Sequence, residues 1–515
     1  MGILLSKKYS VERICESACS PIIVFALFWA IYAGLSMFFW YPEPYLYNDA
    51  LFGGDLGRVS GDIYVIDGEH ARVSTHPLFI ILIQPIFHLF NGLVNDMYLS
   101  IFLFQSGTGA LLVAVVSMIL EEVHLRPALR IATILMFGLS GSQLIWSTAP
   151  ETFMYGGLVI GLMWLFLIKM SGLNRPLSVS EVMILISFGV LLCGLTITNI
   201  IVFVLGLTYF FLRQKKQKLR VAVFLLICAA VMAVLVLLSL VQHFVWPLTP
   251  VFWSALSGSV SGQSGDLVLG FLSLDIDIAR MPMWLNQTIL FPWIMPDATL
   301  YEAANQPVGN EMIVFGDYDS PLGLVSGLLA ALSMALILLK AISAIRRLGR
   351  KASNEIVKFD AAYLFMLSTW LIEVVFHYFF DSTEAFLFSA HFFFLFVVLT
   401  AMAFQDVEKR LPASVKWISC CILISILIVE CAQNATVVCW ITSALHSLTD
   451  SSVSVARSFA TLALVGILAG LVGCLMRWLG KRLDLDKDVV AATSTLMGVY
   501  ALIVFFSSAF IVLAF

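Results

Sequence analysis

The sequence predicts an all-α, polytopic membrane protein built as one integral-membrane domain over residues 1–515, and three observations carry that expectation. Hydrophobic residues fill 60% of the 515 positions and charged residues only 12%, with a mean hydropathy of +0.97. A soluble chain needs roughly twice that charged fraction to cover its surface. Apolar runs recur along the whole length, and a run of about 20 residues crosses a hydrocarbon core of about 30 Å. These runs lack the period-2 alternation of membrane barrel strands, so their backbone groups must be satisfied within helices.

Thirteen spanning helices follow, near residues 21–40, 97–120, 128–147, 152–170, 180–197, 199–212, 220–241, 321–345, 361–380, 385–404, 414–432, 456–476 and 489–513. Lys7, Lys8 and Arg13 precede the first run like the basic start of a signal peptide, but no small-residue cleavage site follows, so the run reads as a retained helix. With a cytoplasmic N-terminus, the loops between alternate helices collect almost all the basic residues. Of 29 Lys and Arg, only Arg58, Arg72, Arg280 and Arg457 fall on the other side. That is a strong positive-inside signal. It points to a multi-pass protein of a bacterial inner (plasma) membrane. The net charge of −4 matters little, because charge is sorted by side rather than averaged.

One segment decides the sidedness. His76–Phe90 (HPLFIILIQPIFHLF) is apolar but short, and Gln84–Pro85 interrupts it. If it crossed the membrane, every later cationic loop would face outward. It therefore reads as a juxtamembrane helix, 76–90, that lies in the outer interface or re-enters, within a large outer loop spanning 41–96. A second outer loop, 242–320, carries Trp246, Trp253, Trp284 and Trp293 and reads as short interfacial helices, with a Ser/Gly-rich connector near 254–265. The nine Cys show no metal-ligand spacing; Cys431 and Cys439 stand where pairing is feasible, but buried free thiols are favoured. The triplets Asn286-Gln-Thr and Asn434-Ala-Thr read as chance sequons.

The first outer loop concentrates the chemistry. It carries Glu43, Asp49, Asp55, Asp62, Asp67 and Glu69 against Arg58 and Arg72. A loop this acidic beside hydrocarbon is costly unless it serves a function. If 55–62 is helical, Asp55, Arg58 and Asp62 share one face. Its glycines allow tight turns and close approach of a ligand to the backbone. The plain alternative is a solvated loop whose acids avoid the cytoplasmic side. Polar groups also gather at other outer helix ends: Glu151 in Thr148-Ala-Pro-Glu-Thr152, and Asp381, Glu384 and His391, with Glu384 and His391 seven apart on one face and Glu373 in the preceding helix.

A short gap after the first helix, an acidic outer loop, a His76-Pro77-Leu78 start to an interfacial helix and a total near thirteen crossings resemble the GT-C superfamily, the integral-membrane glycosyltransferases that use polyprenyl-phosphate sugars. The resemblance covers the topology of nearly the whole chain on short motifs. It implies that an acid of the first outer loop is the catalytic base or coordinates the reacting groups. That role falls on Asp55 in Gly54-Asp55-Leu56-Gly57-Arg58, with Asp49 as rival and Asp62 a third candidate. Many members carry an adjacent acidic pair in this loop, and this chain has none. The donor would be a polyprenyl-phosphate sugar, with a divalent metal ion as a possible cofactor, and the acceptor a cell-envelope glycan, lipid or protein.

Such a transfer needs a carboxylate to deprotonate the acceptor, worth about 10²–10⁴-fold, and cations for the departing phosphate. The scarce outer arginines Arg58, Arg72 and Arg280 are the candidate phosphate ligands. Arg58 is equally suited to a structural ion pair with Asp55 or Asp62. His76, Glu151, Glu384 and His391 complete the candidate substrate-binding set. No Walker loop, dinucleotide fingerprint, zincin motif or nucleophile elbow occurs, which argues against nucleotide and nucleic-acid partners and leaves membrane lipids and lipid-linked sugars. The alternative function is a transporter or flippase of lipid-linked material, which usually shows paired halves and mid-membrane charges.

Overall fold

The computed structural model describes residues 19–40, 51–66, 72–171, 175–213, 220–253, 277–302, 311–316, 321–348, 354–380 and 385–447. Asp49, Glu384, the connector near 254–265 and the expected helices near 456–476 and 489–513 lie outside them. The protein is an all-α, multi-pass membrane protein. Among the described residues, seven helices are long and apolar enough to cross a membrane: Met97–Glu122, Thr152–Met170, Arg220–Val245, Gly323–Leu348, Ile356–Phe379, Ala385–Glu408 and Ser425–Ala444.

The helices begin and end where local chemistry predicts. α1 (Pro21–Trp40) and α5 (Pro127–Gly138) open on proline, whose missing N–H costs nothing in a first turn. α2 (Leu56–Tyr64) and α3 (Phe79–Val94) occupy the first loop. Asn95 ends α3 in a left-handed conformation (φ 57°), and Asp96 then accepts a hydrogen bond from Leu99 N to start α4 (Met97–Glu122). α6 (Gly141–Trp146) is short; Glu151 caps α7 (Thr152–Met170). Ser178 and Glu181 form a capping box on α8 (Val179–Leu195). α9 (Ile200–Arg213) and α10 (Arg220–Val245) follow. After a short α11 (Met281–Leu285) come α12 (Pro321–Leu348), α13 (Asn354–Phe380), α14 (Ala385–Glu408) and α15 (Ala413–Ser447).

Three expectations change. The apolar stretch 128–147 is not one helix but α5 and α6, broken at Leu139–Ser140. The freed donors are satisfied, Gly141 N by Trp293 O at 3.1 Å and Ser142 N by Pro292 O at 2.9 Å. The helix expected to end near 432 runs on to Ser447. It carries Cys431 and Cys439 as free thiols, and Asn434 is fully buried, so its triplet is no glycosylation site. The segment expected as the second outer loop carries, besides α11, an antiparallel ribbon of β1 (Ala298–Glu302) and β2 (Glu311–Phe315). Phe52 N donates to Ile313 O at 2.9 Å, tying the first loop to the second.

The helices pack as a bundle with two chemically distinct ends. α1 lies antiparallel to α4: Ser117 Oγ donates to Cys19 O near one end, and Trp29 Nε1 to Leu103 O nearer the other. α4, α7 and α14 run parallel. Gln105 reaches Trp146 O and Glu151 O at their starts, Gly157 and Gly161 let α7 close on Leu112, and Gln405 near the far end of α14 donates to His124 O. That far end gathers ion pairs: Arg126 with Glu408, Arg130 with Glu121 (3.3 Å), Lys340 with Asp406 (2.6 Å), Arg347 with Asp360 (2.6 Å) and Lys358 with Glu122 (3.7 Å). The described basic helix ends thus meet at one end, here the cationic end. The first loop, α6 and the ribbon lie at the other, the loop end.

α3 has both of its ends at the loop end. Leu78 N donates to Gly194 O at 2.8 Å, at the close of α8, while its C-terminus turns directly into α4. It therefore does not run from one end of the bundle to the other. Pro85 sits inside it, and the first turn is completed from outside: Gln242 donates to Pro77 O at 3.0 Å and accepts from Ile81 N at 3.3 Å. Phe79, Ile80, Ile83 and Phe87 are buried, whereas Ile86, Leu89 and Leu93 are exposed along the opposite face.

Candidate functional site

The site starts from a nine-residue helix. α2 follows directly on Asp55, so Asp55, Arg58 and Asp62 project from one side, as the spacing predicts. Arg58 grips both acids: Nη2 and Nε lie 3.1 and 3.2 Å from Asp55 Oδ2, and Nη1 lies 2.9 Å from Asp62 Oδ2. Arg72 comes in from the other side, with Nη1 at 2.8 Å from the same Asp55 oxygen. The Asp55 and Arg58 side chains are 14% and 16% exposed and Arg72 is 55% exposed. Arg72 is therefore the cation that an anion from solution meets first.

The bundle holds this cluster from below. Asp55 N donates to Glu151 Oε1 at 3.2 Å, and Glu151 Oε2 accepts from Thr152 N at 2.7 Å. One carboxylate thus fixes both the start of α7 and the backbone of the acidic loop. Burial first, and the nearby Asp55 carboxylate second, push the Glu151 carboxyl up to about 7, against the pull of Arg58 and the two N–H donors. His76 is buried beside it. Its Nδ1 lies 2.7 Å from Leu195 O and 3.5 Å from Thr196 Oγ1, and Nε2 lies 3.5 Å from Thr152 Oγ1. Burial, then the charge of Arg58, lowers His76 to about 3, so the ring stays neutral and serves as a strut between α7 and α8.

Asp55, Asp62, Arg58, Arg72, His76 and Glu151 therefore come together. Arg280 does not join them; it pairs with Asp277 at 3.2 Å, beside the end of α13, where Tyr378 donates to Asp277 O. His391 lies one layer deeper. The Phe153 ring separates it from His76, with centroids 6.0 Å from His76 and 4.9 Å from His391. There it meets Glu373 and His377 of α13, all three buried. Sequence reasoning missed two parts of the arrangement. Spacing along the chain does not show that Glu151 also anchors the backbone of the first loop, through Asp55 N. Nor does the sequence pattern single out Asn199, which is buried near His391 across Gly156; the break between two apolar runs at Thr196–Asn199 is its only local signal.

Comparison with known proteins adds no relative: no family model, no curated protein and no solved structure matches the chain.

Chemically, the loop end offers two guanidinium groups, the carboxylates of Asp55 and Asp62, a third carboxyl on Glu151 that burial pushes up to about 7, and a neutral histidine. That set can bind a phosphate and move a proton beside it.

Proposed function

We propose that the protein is an integral-membrane glycosyltransferase of the GT-C type, with thirteen crossings and a cytoplasmic N-terminus. It moves a sugar from a polyprenyl-phosphate donor to a cell-envelope acceptor on the outer face. The observation that carries this reading is the Arg72–Asp55–Arg58 cluster, a carboxylate between two arginines at the end of the bundle opposite the cationic helix ends. α3 lies in the membrane interface, with Ile86, Leu89 and Leu93 turned to lipid, where a polyprenyl tail would run.

In this reading the donor phosphate draws the half-exposed Arg72 off Asp55 and is held by Arg72 and Arg58 together. The freed Asp55 takes the proton of the acceptor hydroxyl as that oxygen attacks the anomeric carbon. The bond from that carbon to the phosphate oxygen breaks, and polyprenyl phosphate leaves with its charge on the two guanidinium groups. Glu151 and His76 position the loop and take no part in bond making. The test uses membranes containing the protein, radiolabelled lipid-linked sugars extracted from cells, and the envelope acceptor fraction. Asp55→Asn is expected to lower transfer at least ~10²-fold while the protein is still inserted. Full activity in Asp55→Asn and in Asp62→Asn would remove the catalytic assignment.

A second reading, a flippase of lipid-linked material, draws on one observation: Glu430 is fully buried in the middle of α15, away from both of its ends. It predicts that Asp55→Asn leaves envelope glycans unchanged, while Glu430→Gln strands lipid-linked precursors on the inner leaflet.

A further inference from the structure

Glu373 and His377 stand four residues apart on α13, and His391 faces them from α14. One oxygen or ring nitrogen from each lies within 4.8 Å of the others, and Glu373 Oε2 is 3.4 Å from His377 Nε2. That separation is close to the spacing between two ligands of a tetrahedral ion with bonds of about 2.0–2.1 Å. All three side chains are buried. A carboxylate at this depth is expensive unless a cation compensates it.

A second observation points the same way. Among the described residues neither ring nitrogen of His391 has a hydrogen-bond partner, and the residue is fully buried. Both atoms of the Asn199 amide are likewise buried without a partner among the described residues. A Cβ placed on Gly156 would fall 2.2 Å from His391 Nε2 and 3.4 Å from Asn199 Nδ2, so only glycine leaves this ring its place. Buried polar groups are normally satisfied, and several orphans meeting at one point call for a ligand.

We propose that Glu373, His377 and His391 bind a divalent transition-metal ion, zinc by preference, between α13 and α14. Two imidazoles and one carboxylate are a donor set that suits zinc and leaves a fourth position open. The ion neutralises Glu373 and locks the two helices beneath the loop-end cluster. Asn199, which with His391 Nε2 borders Gly156, is assigned as the partner of the ring nitrogen that does not bind the ion, as metal-bound histidines generally have one. This proposal does not depend on the transferase reading.

The test is metal content. Full-length protein purified in detergent, loaded with zinc and dialysed against EDTA, is expected to keep about one zinc per chain by mass spectrometry, with X-ray absorption showing nitrogen and oxygen neighbours at about 2.0–2.1 Å. Glu373→Gln and His391→Ala are expected to lose it, and Asp55→Asn to keep it. A variant that misfolds would also lose metal, so His391→Cys is the control: it should retain zinc and gain a sulfur neighbour at about 2.3 Å. Wild-type protein without near-stoichiometric zinc, zinc retained in His391→Ala, or no sulfur neighbour in His391→Cys would each overturn the proposal.

Discussion

Arg58 is the most heavily engaged side chain of the loop end: one guanidinium bridges two carboxylates from within its own helix. Such a fork is pre-organised, and Arg58→Lys cannot reproduce it, because an ammonium offers a point charge rather than a planar pair of donors. His76 illustrates the opposite case, a titratable group kept neutral. Its pKa in the folded protein, about 3, lies below the ordinary 6.5. Between those values the unfolded chain binds a proton that the folded chain refuses, so stability falls as pH falls through about 6.5. Thermal unfolding in detergent from pH 7.5 to 5.0 should therefore show the wild type losing up to about 1.4 kcal/mol per pH unit below pH 6 relative to His76→Gln. Parallel pH profiles would remove the strut role assigned to this ring.

Among the elements, α3 is the one on which sidedness turns. Its sequence gives two signals that disagree: apolarity enough for a membrane, and a Gln84–Pro85 break too central for a straight crossing. The break proves to be a fastening point. Gln84 donates to Val65 O at 2.9 Å and accepts from Trp246 Nε1 at 2.7 Å, which binds the helix to the end of α2 and to the segment after α10. Single cysteines at Ser74 and Asn95, in a background without native cysteines, should both react with a membrane-impermeant thiol reagent from the same face. Labelling from opposite faces would mean that α3 crosses, and the proposed sidedness of every later loop would invert. A second fastening holds the break between α5 and α6. Asn434 accepts from Met295 N and donates to Leu139 O and Trp293 O, so one buried amide on α15 serves three backbone groups.

In the molecule as a whole, the charge sorting seen along the chain becomes a latch at the cationic end. Asp360 accepts from Arg347 twice, at 2.6 and 2.7 Å, and Asp406 accepts from Lys340 while lying 3.6 Å from Arg347. These residues join α12, α13 and α14 in one network. Asp360 is buried, and removing one partner of a buried pair leaves the other charge uncompensated. Asp360→Asn is expected to lower unfolding stability in detergent by about 3 kcal/mol, and the double variant Asp360→Asn/Arg347→Met by less. A single-variant loss below about 1 kcal/mol would mean that the latch is decorative.

Class, approximate helix positions and the gathering of basic residues at one end were legible in the residues, because each rests on local composition: apolar length, period and the sign of loop charges. The face shared by Asp55, Arg58 and Asp62 was legible for the same reason, since helical spacing alone sets it. The break at Leu139–Ser140, the ribbon of the second loop and the extension of α15 were not, because partners distant in sequence supply the hydrogen bonds that make them stable. The same holds for Arg72 on Asp55, for Glu151 under the loop backbone and for Asn199 beside His391. In each of these pairs the chemistry exists only once the bundle closes, since Asp55 and Glu151, 96 residues apart, share no local pattern that could announce their contact.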